Sequence, residues 1–428
     1  MFIKKKTPPL TKKGPLFFIS AGDPSGDVHS ARLINEIKRL LPNAKFVGFA
    51  GPITATTGCE VKVNLTQFAV MMLKRAVINI PQYLHILNQV PQIFSEEKPD
   101  IVILVDFPSF NWKIAKKAKE AGIPVVYFMP PQIWGWGQWR VKKMRKYVDL
   151  VLSCFSFEDT WFKENGCISS LVGHPFFEES RSQNVDQNLI DSLLSPNKLK
   201  IDCFNSMRYL TILPGSRIQE ITNNLTCLLE VAKMIHSSIP SVHPIFAAFN
   251  ELHASIIQQE MQKQDLNFAV FAGKTPELMR VATCCLSVSG SVSIELLSLC
   301  KPTVIIYKVS KLEFFVLRFL KRVKFITLTN LLYVCGLEGE TPFYPKGYLP
   351  KSTKYTDHER ALMLFPEYLS DKNCSEDIVR HLTVWFTDEE SRLRCIKKLE
   401  KIKKENDFIL HPIELAAQKI IALLPPPH

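Results

Sequence analysis

The residues whose type and spacing suit chemistry lie in turns that follow short apolar strands. Asp106 comes directly after Ile101-Val102-Ile103-Leu104-Val105 and opens the run Asp106-Phe107-Pro108-Ser109-Phe110-Asn111. At the carboxyl end of a parallel strand a carboxylate stands where α/β proteins collect functional groups, and it can take a proton from an incoming hydroxyl. The alternative is that Asp106 only caps the next helix. Two further turns share one device. Leu16–Ile19 runs into Ser20-Ala21-Gly22-Asp23-Pro24-Ser25-Gly26-Asp27, and Tyr209–Leu213 runs into Pro214-Gly215-Ser216-Arg217. Each junction points backbone N–H groups outward, where they can hold an anion or a sugar hydroxyl. In the first turn Ser25, Gly26 and Asp27 are the candidate ligand residues. In the second, Gly215 allows close backbone approach, while Ser216 and Arg217 offer a hydroxyl and a planar fork to phosphate oxygens. No Gly-Lys-Ser/Thr follows, so this is not an ATP-hydrolysing loop.

Downstream, Ser289-Gly290-Ser291-Val292-Ser293-Ile294-Glu295 is another small-residue turn opening a helix. Gly290 and Ser291 would face phosphate, and Glu295, one turn into the helix, would face a ribose diol. Two phosphate-type turns in one half point to a nucleoside diphosphate. Between Phe128 and Arg140, the tryptophans Trp134, Trp136 and Trp139 are interspersed with proline and glycine. That composition reads as a loop whose aromatic faces suit sugar rings, with Arg140 available to a phosphate; a local packing cluster is the alternative.

Apolar strands alternating with helices must position these turns, which calls for a buried parallel sheet in each half. The expected strands are 16–19, 45–49, 101–105, 125–129 and 150–154, then 209–213, 244–248, 268–271, 285–288 and 302–307. A polar stretch, 180–206, reads as the linker. The expected division is a basic tail (1–13), a first α/β domain (14–200), a second (201–375) and C-terminal helices (376–428). Those helices would pack back on the body or on a second copy of the chain, giving a homodimer. The two domains would face each other across a cleft, the layout of an enzyme joining two bound substrates. Residues 333–356 read as a long loop or insertion.

The chain has 428 residues, 46% of them apolar and 22% charged, enough for two cores and too apolar for disorder. Its 11 cysteines include no CxxC pair, as expected of reduced thiols in a cytosol, and its 10 histidines show no ligand spacing, so no metal is expected. The net charge of +12 attracts polyanions. No nucleic-acid-binding motif accompanies it, so a nucleic-acid partner is not expected. The apolar and basic segments 68–87 and 311–324 instead suit a membrane headgroup boundary, with no run of roughly 18 apolar residues to span a bilayer. The expected location is cytoplasmic, peripheral on a membrane.

In this order the motifs resemble those of the lipid-A-disaccharide synthase family, from about Leu16 to the last helix. The family's Ser-Ala-Gly-Glu-x-Ser-Gly-Asp stands here as Ser20–Asp27, with Asp23 for Glu. Gly-x-Ala-Gly-Pro is Gly48–Pro52, Asp-x-Pro-x-Phe-Asn is Asp106–Asn111, and Ser-Pro-x-x-Trp-Ala-Trp is Pro130–Trp136 with Pro130 and Gly135 substituted. Gly173-His174-Pro175, Leu213–Arg217 and Ser289–Glu295 also agree. The resemblance implies a GT-B glycosyltransferase with two Rossmann-like domains and no metal or cofactor. The second domain would hold UDP-2,3-diacylglucosamine and the first 2,3-diacylglucosamine 1-phosphate (lipid X). The acceptor's 6-hydroxyl would displace UDP with inversion, giving a β-1,6 bond at the inner-membrane surface, with Asp106 as base and Asp27 a second candidate or a structural partner of its turn. It also places Asn330 near the nucleotide. There Leu328-Thr329-Asn330-Leu331-Leu332 replaces Leu-Pro-Asn-Leu-Leu, and the following Pro-Glu-x-x-Gln is displaced to Pro366-Glu367, with Ser370 for Gln. The rival readings are another UDP-sugar GT-B transferase or epimerase, and a non-catalytic homologue that binds a membrane surface.

Overall fold

The computed structural model describes residues 14–67, 80–195, 208–288, 292–308, 315, 323–344 and 355–424. The chain divides into two compact units. One runs to Glu178 and takes the chain back from Phe408; the other spans Glu179–Asp407.

The first unit is built on a seven-stranded sheet in the order β3-β2-β1-β4-β5-β6-β7, with every pair parallel. The strands are β1 (Leu16–Ala21), β2 (Lys45–Ala50), β3 (Glu60–Asn64), β4 (Ile101–Val105), β5 (Val125–Phe128), β6 (Leu150–Ser153) and β7 (Ser169–Leu171). β1 and β4 are central and read as unbroken apolar runs because helices cover both faces; Phe17, Phe18, Ile19 and Ile101–Leu104 are fully buried. The second unit has six parallel strands in the order β10-β9-β8-β11-β12-β13. They are β8 (Arg208–Leu213), β9 (Val242–Ala248), β10 (Ala269–Ala272), β11 (Ala282–Val288), β12 (Thr303–Lys308) and β13 (Glu367–Ser370). In each sheet the strand order reverses between two neighbours, β1 and β4 or β8 and β11. In a doubly wound sheet the crevice for ligands opens at that reversal. The turns after β1, β4 and β8 carry the Ser25, Asp106 and Arg217 motifs, and the Gly290 motif follows β11 in the sequence, its residues 289–291 outside the described set.

The C-terminal segment, expected as helices over 376–428 packing back on the body or on a second copy, is divided between the two units. Residues 376–406 form two helices, Ser375–Thr387 and Glu389–Asn406, broken at Asp388, whose carboxylate accepts from the Ser391 N–H at 3.0 Å. Both belong to the second unit. The last helix, Pro412–Ile421, returns to the first unit, where Ile413, Ala416, Ala417 and Ile420 share a core with Leu33, Ile34 and Ile37 of the helix Pro24–Leu40. Spacings of three and four residues put each set on one helix face, and the two alanines let the backbones approach. The expected linker is also more ordered than its polarity suggests. It holds the helices Pro175–Ser182 and Gln187–Leu194, the second capped by Asp186 and tied through that residue to Lys274 at 2.9 Å.

Among the described residues no helix is long and apolar enough to cross a membrane. Of the two segments expected at a membrane surface, residues 68–79, 311–314 and 316–322 lie outside the described set. Of their described residues Leu84 and Phe315 stand exposed, while Ile86, Leu87 and Val323 are buried.

Ile420→Ala should empty part of the shared core and lower stability by about 2–4 kcal/mol, read as an earlier urea transition. An unchanged transition would show that the last helix is not docked there.

Candidate active site and nucleotide turn

β1 and β4 run side by side with Ala21 level with Val105, so their following turns emerge together. The turn after β4 is unusual. Asp106 and Phe107 are consecutive non-glycine residues at φ 43° and 44°. Left-handed backbone at such residues costs about 1–3 kcal/mol each and persists only where the surroundings impose it. Here they do. Asn111, fully buried, donates its Nδ2 to the carbonyls of Asp106 (2.7 Å), Val105 (3.2 Å) and Ser20 (3.3 Å), while its Oδ1 accepts from the Ser20 hydroxyl at 2.7 Å. The Tyr127 hydroxyl donates to the Asp106 carbonyl at 2.6 Å. The Phe107 ring lies over Gly22, where a Cβ would come within 2.2 Å of it, so that glycine is required by close approach.

The helix Pro108–Glu120 is N-capped by Phe107, without a side-chain cap bond, which disposes of Asp106 as a mere cap. The Asp106 carboxyl is half-buried. Burial, and then the neighbouring Asp23 carboxylate, push its pKa up to about 6, against the opposing pull of the Phe107 N–H. It is therefore ionised at neutral pH yet a better proton acceptor than an ordinary aspartate.

The other first-unit candidates separate by environment. Ser25, at the start of the helix Pro24–Leu40, is exposed and can meet a ligand. Gly26 is buried, with its Cβ position 3.7 Å from Ala21 and Val105, and serves close helix–strand packing. Asp27 is 2% exposed, and its carboxylate accepts from the backbone N–H of Gly51 (2.8 Å), Ile53 (2.9 Å) and Thr54 (3.0 Å). It anchors the turn after β2, and with its carboxylate buried and both oxygens engaged there it is a structural partner of that turn, a correction to its expected contact with the acceptor.

The tryptophan segment is not a loop either. It forms the short helix Ile133–Trp136 and a 3₁₀ turn, Gln138–Arg140, because the prolines fall before the first turn, where no amide hydrogen is needed. Trp134 is 1% exposed and donates its indole N–H to Glu158 at 3.0 Å, so it is a wall and not a sugar platform. Burial raises the pKa of Glu158 to about 7. The side chain of Trp136 lies outside the described set. The open aromatic is Trp139, 57% exposed, with the half-buried Arg140 guanidinium 5.7 Å from its ring centre.

In the second unit the turn after β8 holds Gly215 at φ 105°, where a Cβ would meet the Glu220 carboxylate at 2.7 Å. Glu220 Oε2 accepts from the backbone N–H of Ser216 (3.1 Å) and Arg217 (3.2 Å), and Oε1 lies 3.3 Å from the Arg217 guanidinium. These amides open the helix Ile218–Ser238. They were expected to be free for phosphate, but an internal carboxylate fills the position. The Arg217 side chain is nonetheless 65% exposed, so it can turn to a ligand. Gly290 and Ser291 lie outside the described set. Glu295 is half-buried in the first turn of Ser293–Ser298, and burial followed by the Glu179 carboxylate raises its pKa to about 7.

Asn330 requires correction too. It is fully buried, donating to the Phe365 carbonyl (2.7 Å) and Glu367 (2.9 Å) and accepting from the N–H groups of Leu364 and Phe365 (both 2.9 Å). No atom of its side chain is left for a nucleotide. Glu367 in turn receives five donors, from the Ile326 and Thr327 amides, the Thr327 and Tyr355 hydroxyls, and Asn330. The displaced Pro366-Glu367 pair thus meets Asn330 directly despite the insertion between them. Among the described residues no cluster of His, Cys, Asp and Glu could hold a metal.

Solved structures place this fold. UDP-GlcNAc 2-epimerase from Neisseria meningitidis, bound to UDP-GlcNAc, superposes with a TM-score of 0.60 at 10% identity, covering 95% of this chain and 99% of that one. The kitacinnamycin glycosyltransferase gives 0.54 at 13% identity, covering 97% and 100%. Two parallel-sheet α/β units of this kind define the GT-B class of glycosyltransferases and epimerases. Residues 17–341 match the family described as lipid-A-disaccharide synthetase. The lipid-A-disaccharide synthase of Nitrosococcus oceani is 31% identical over 335 residues, 77% of this chain and 84% of its own. That of Coxiella burnetii (strain Dugway 5J108-111) is 33% identical over 314 residues, 73% and 80%. The chain belongs to the lipid-A-disaccharide synthase family and is a glycosyltransferase.

Two outcomes follow from these environments. Asn330→Ala leaves buried amide and carboxylate groups unpaired and should cost about 2–4 kcal/mol in a denaturant titration; a neutral result would return Asn330 to the ligand side. Asp106 has a folded pKa of about 6, above the ordinary carboxylate value of 3.8. The folded state therefore holds the proton more tightly, and stability is lost as pH rises between those values. Asp106→Asn should then raise the melting temperature above pH 6, with the gain vanishing below pH ~4.

Proposed function

We propose that this glycosyltransferase joins UDP-2,3-diacylglucosamine to 2,3-diacylglucosamine 1-phosphate, giving the β-1,6-linked disaccharide 1-phosphate and UDP. The carrying observation is Asp106: a half-buried carboxylate, raised to about pKa 6, held rigidly at the reversal point of the first sheet. The family membership and its motif order support the choice of substrates.

In this reading the first unit binds the acceptor. Ser25 and the start of the helix Pro24–Leu40 serve its phosphate or hydroxyls, and Trp139 with Arg140 offers a sugar-facing platform. Asp106 takes the proton of the 6-hydroxyl as that oxygen attacks the anomeric carbon of the donor from the face opposite the diphosphate. The anomeric C–O bond breaks and its electron pair leaves on the β-phosphate of UDP. Arg217 and the amides of Ser216 and Arg217 stabilise that charge once Glu220 yields them. Glu295 faces the ribose. No metal or cofactor enters the scheme. The lipid substrates place the reaction at the cytoplasmic face of the inner membrane, approached through segments 68–87 and 311–324, at whose edges Leu84 and Phe315 are exposed.

The test is UDP release from UDP-2,3-diacylglucosamine in detergent micelles, with and without the 1-phosphorylated acceptor. Release should require the acceptor and fall about 10²–10⁴-fold in Asp106→Ala, the span of general-base effects. Release independent of the acceptor, or unchanged in the variant, would reject this mechanism.

A further inference from the structure

Around the Arg217 turn, three large apolar side chains stand in water. Ile218, Phe249 and Leu252 are 42%, 61% and 57% exposed. Ile218 follows Arg217 directly and begins the helix Ile218–Ser238. Phe249 is the first residue after β9, and Leu252 lies in the first turn of the helix Glu251–Lys263. β8 and β9 are parallel neighbours, Ile212 level with Phe246, so both turns emerge at one edge of the sheet. The two helices also pack against each other. Their inner faces are already filled, by Ile221, Leu225 and Leu228 on one and Ala254, Ile257 and Met261 on the other. Asn250 caps the second helix through the His253 N–H at 2.9 Å, which holds Phe249 just outside it.

Single exposed apolar residues mean little, but three on the turns and helix starts that follow the neighbouring strands β8 and β9, beside Arg217, call for an apolar occupant. We infer that Ile218, Phe249 and Leu252 form a docking surface for an acyl chain of the sugar-nucleotide donor. The inference rests on the reading of the donor as a diacylated UDP-sugar. With the diphosphate on Ser216 and Arg217, the sugar is bonded to its outer phosphate, and the acyl groups sit on adjacent ring carbons. In that placement a chain leaving the ring alongside the turn meets the exposed side chains of Ile218, Phe249 and Leu252. This patch gives the enzyme a way to prefer the acylated donor over an unacylated sugar nucleotide with the same diphosphate.

The experiment compares wild type with the triple variant I218S/F249S/L252S, whose exposed positions should leave the thermal midpoint unchanged. It measures KM for UDP-2,3-diacylglucosamine in micelles and the inhibition constant of UDP. The patch predicts a KM raised about tenfold or more with UDP inhibition altered less than about twofold, since apolar burial contributes to binding the chain and not the nucleotide. An unchanged KM overturns the inference while the transferase reading stands. So does an unchanged KM accompanied by weaker binding to phospholipid vesicles, which would assign the patch to a bilayer. Equal loss of UDP affinity overturns it as well, by making the patch part of the turn. If wild type binds UDP but releases none from the acylated donor with its acceptor, the substrate reading fails first and the inference falls with it.

Discussion

The geometry of the first unit's site depends on one buried amide. Asn111 holds the carbonyls of Ser20, Val105 and Asp106 together, so it joins the ends of β1 and β4 and fixes the left-handed pair Asp106–Phe107 between them. Three functions of the site follow from that clamp. It turns the Asp106 side chain away from helix capping, it lays Phe107 on Gly22, and it brings Asp106 near enough to Asp23 for the two carboxylates to interact. Tyr127, whose hydroxyl burial keeps protonated, supplies the second donor. A strained turn of this kind stores free energy that the surrounding hydrogen bonds must offset, and such turns concentrate where a group has to be held in a set direction.

Elsewhere in both units carboxylates hold turns in place. Glu220 occupies the amides of Ser216 and Arg217, and Glu367 gathers five donors around Asn330. Asp27 does the same for the turn after β2. In each case a carboxylate keeps backbone N–H groups of a turn in place. For Asp27 and Glu367, both buried, the arrangement is structural. For Glu220, beside the exposed Arg217, it marks a position that favours negative charge at a helix start.

Much of this was legible in the sequence, for identifiable reasons. Unbroken apolar runs such as Ile101–Val105 announced a two-face-buried parallel sheet, and the turns after β1, β4 and β8 fall where the apolar runs end. The place of Asp106 at the end of β4 was legible because position at a strand end is a property of the chain. What burial decides was not legible. Nothing in the letters separates Trp134, a buried wall, from Trp139, which is exposed; nor does a motif show that Asp27 and Asn330 are buried and accept from backbone N–H groups of their own chain. The break at Asp388 and the return of the last helix to the first unit are long-range packing outcomes, invisible to local periodicity. The family resemblance carried the identity of the reaction, while the roles of individual residues had to come from hydrogen bonds.

The central claim is that a clamped Asp106, with its pKa raised by burial and by Asp23, accepts the proton of the attacking hydroxyl. The most direct measurement is the pH dependence of kcat/KM for acceptor-dependent UDP release, which reports the ionisation of the free enzyme's essential base. The account predicts an acid limb of unit slope centred at about pH 6, matching the value set by the burial of Asp106. A profile that stays flat down to pH ~4.5 in a folded enzyme would contradict it and remove Asp106 as the base.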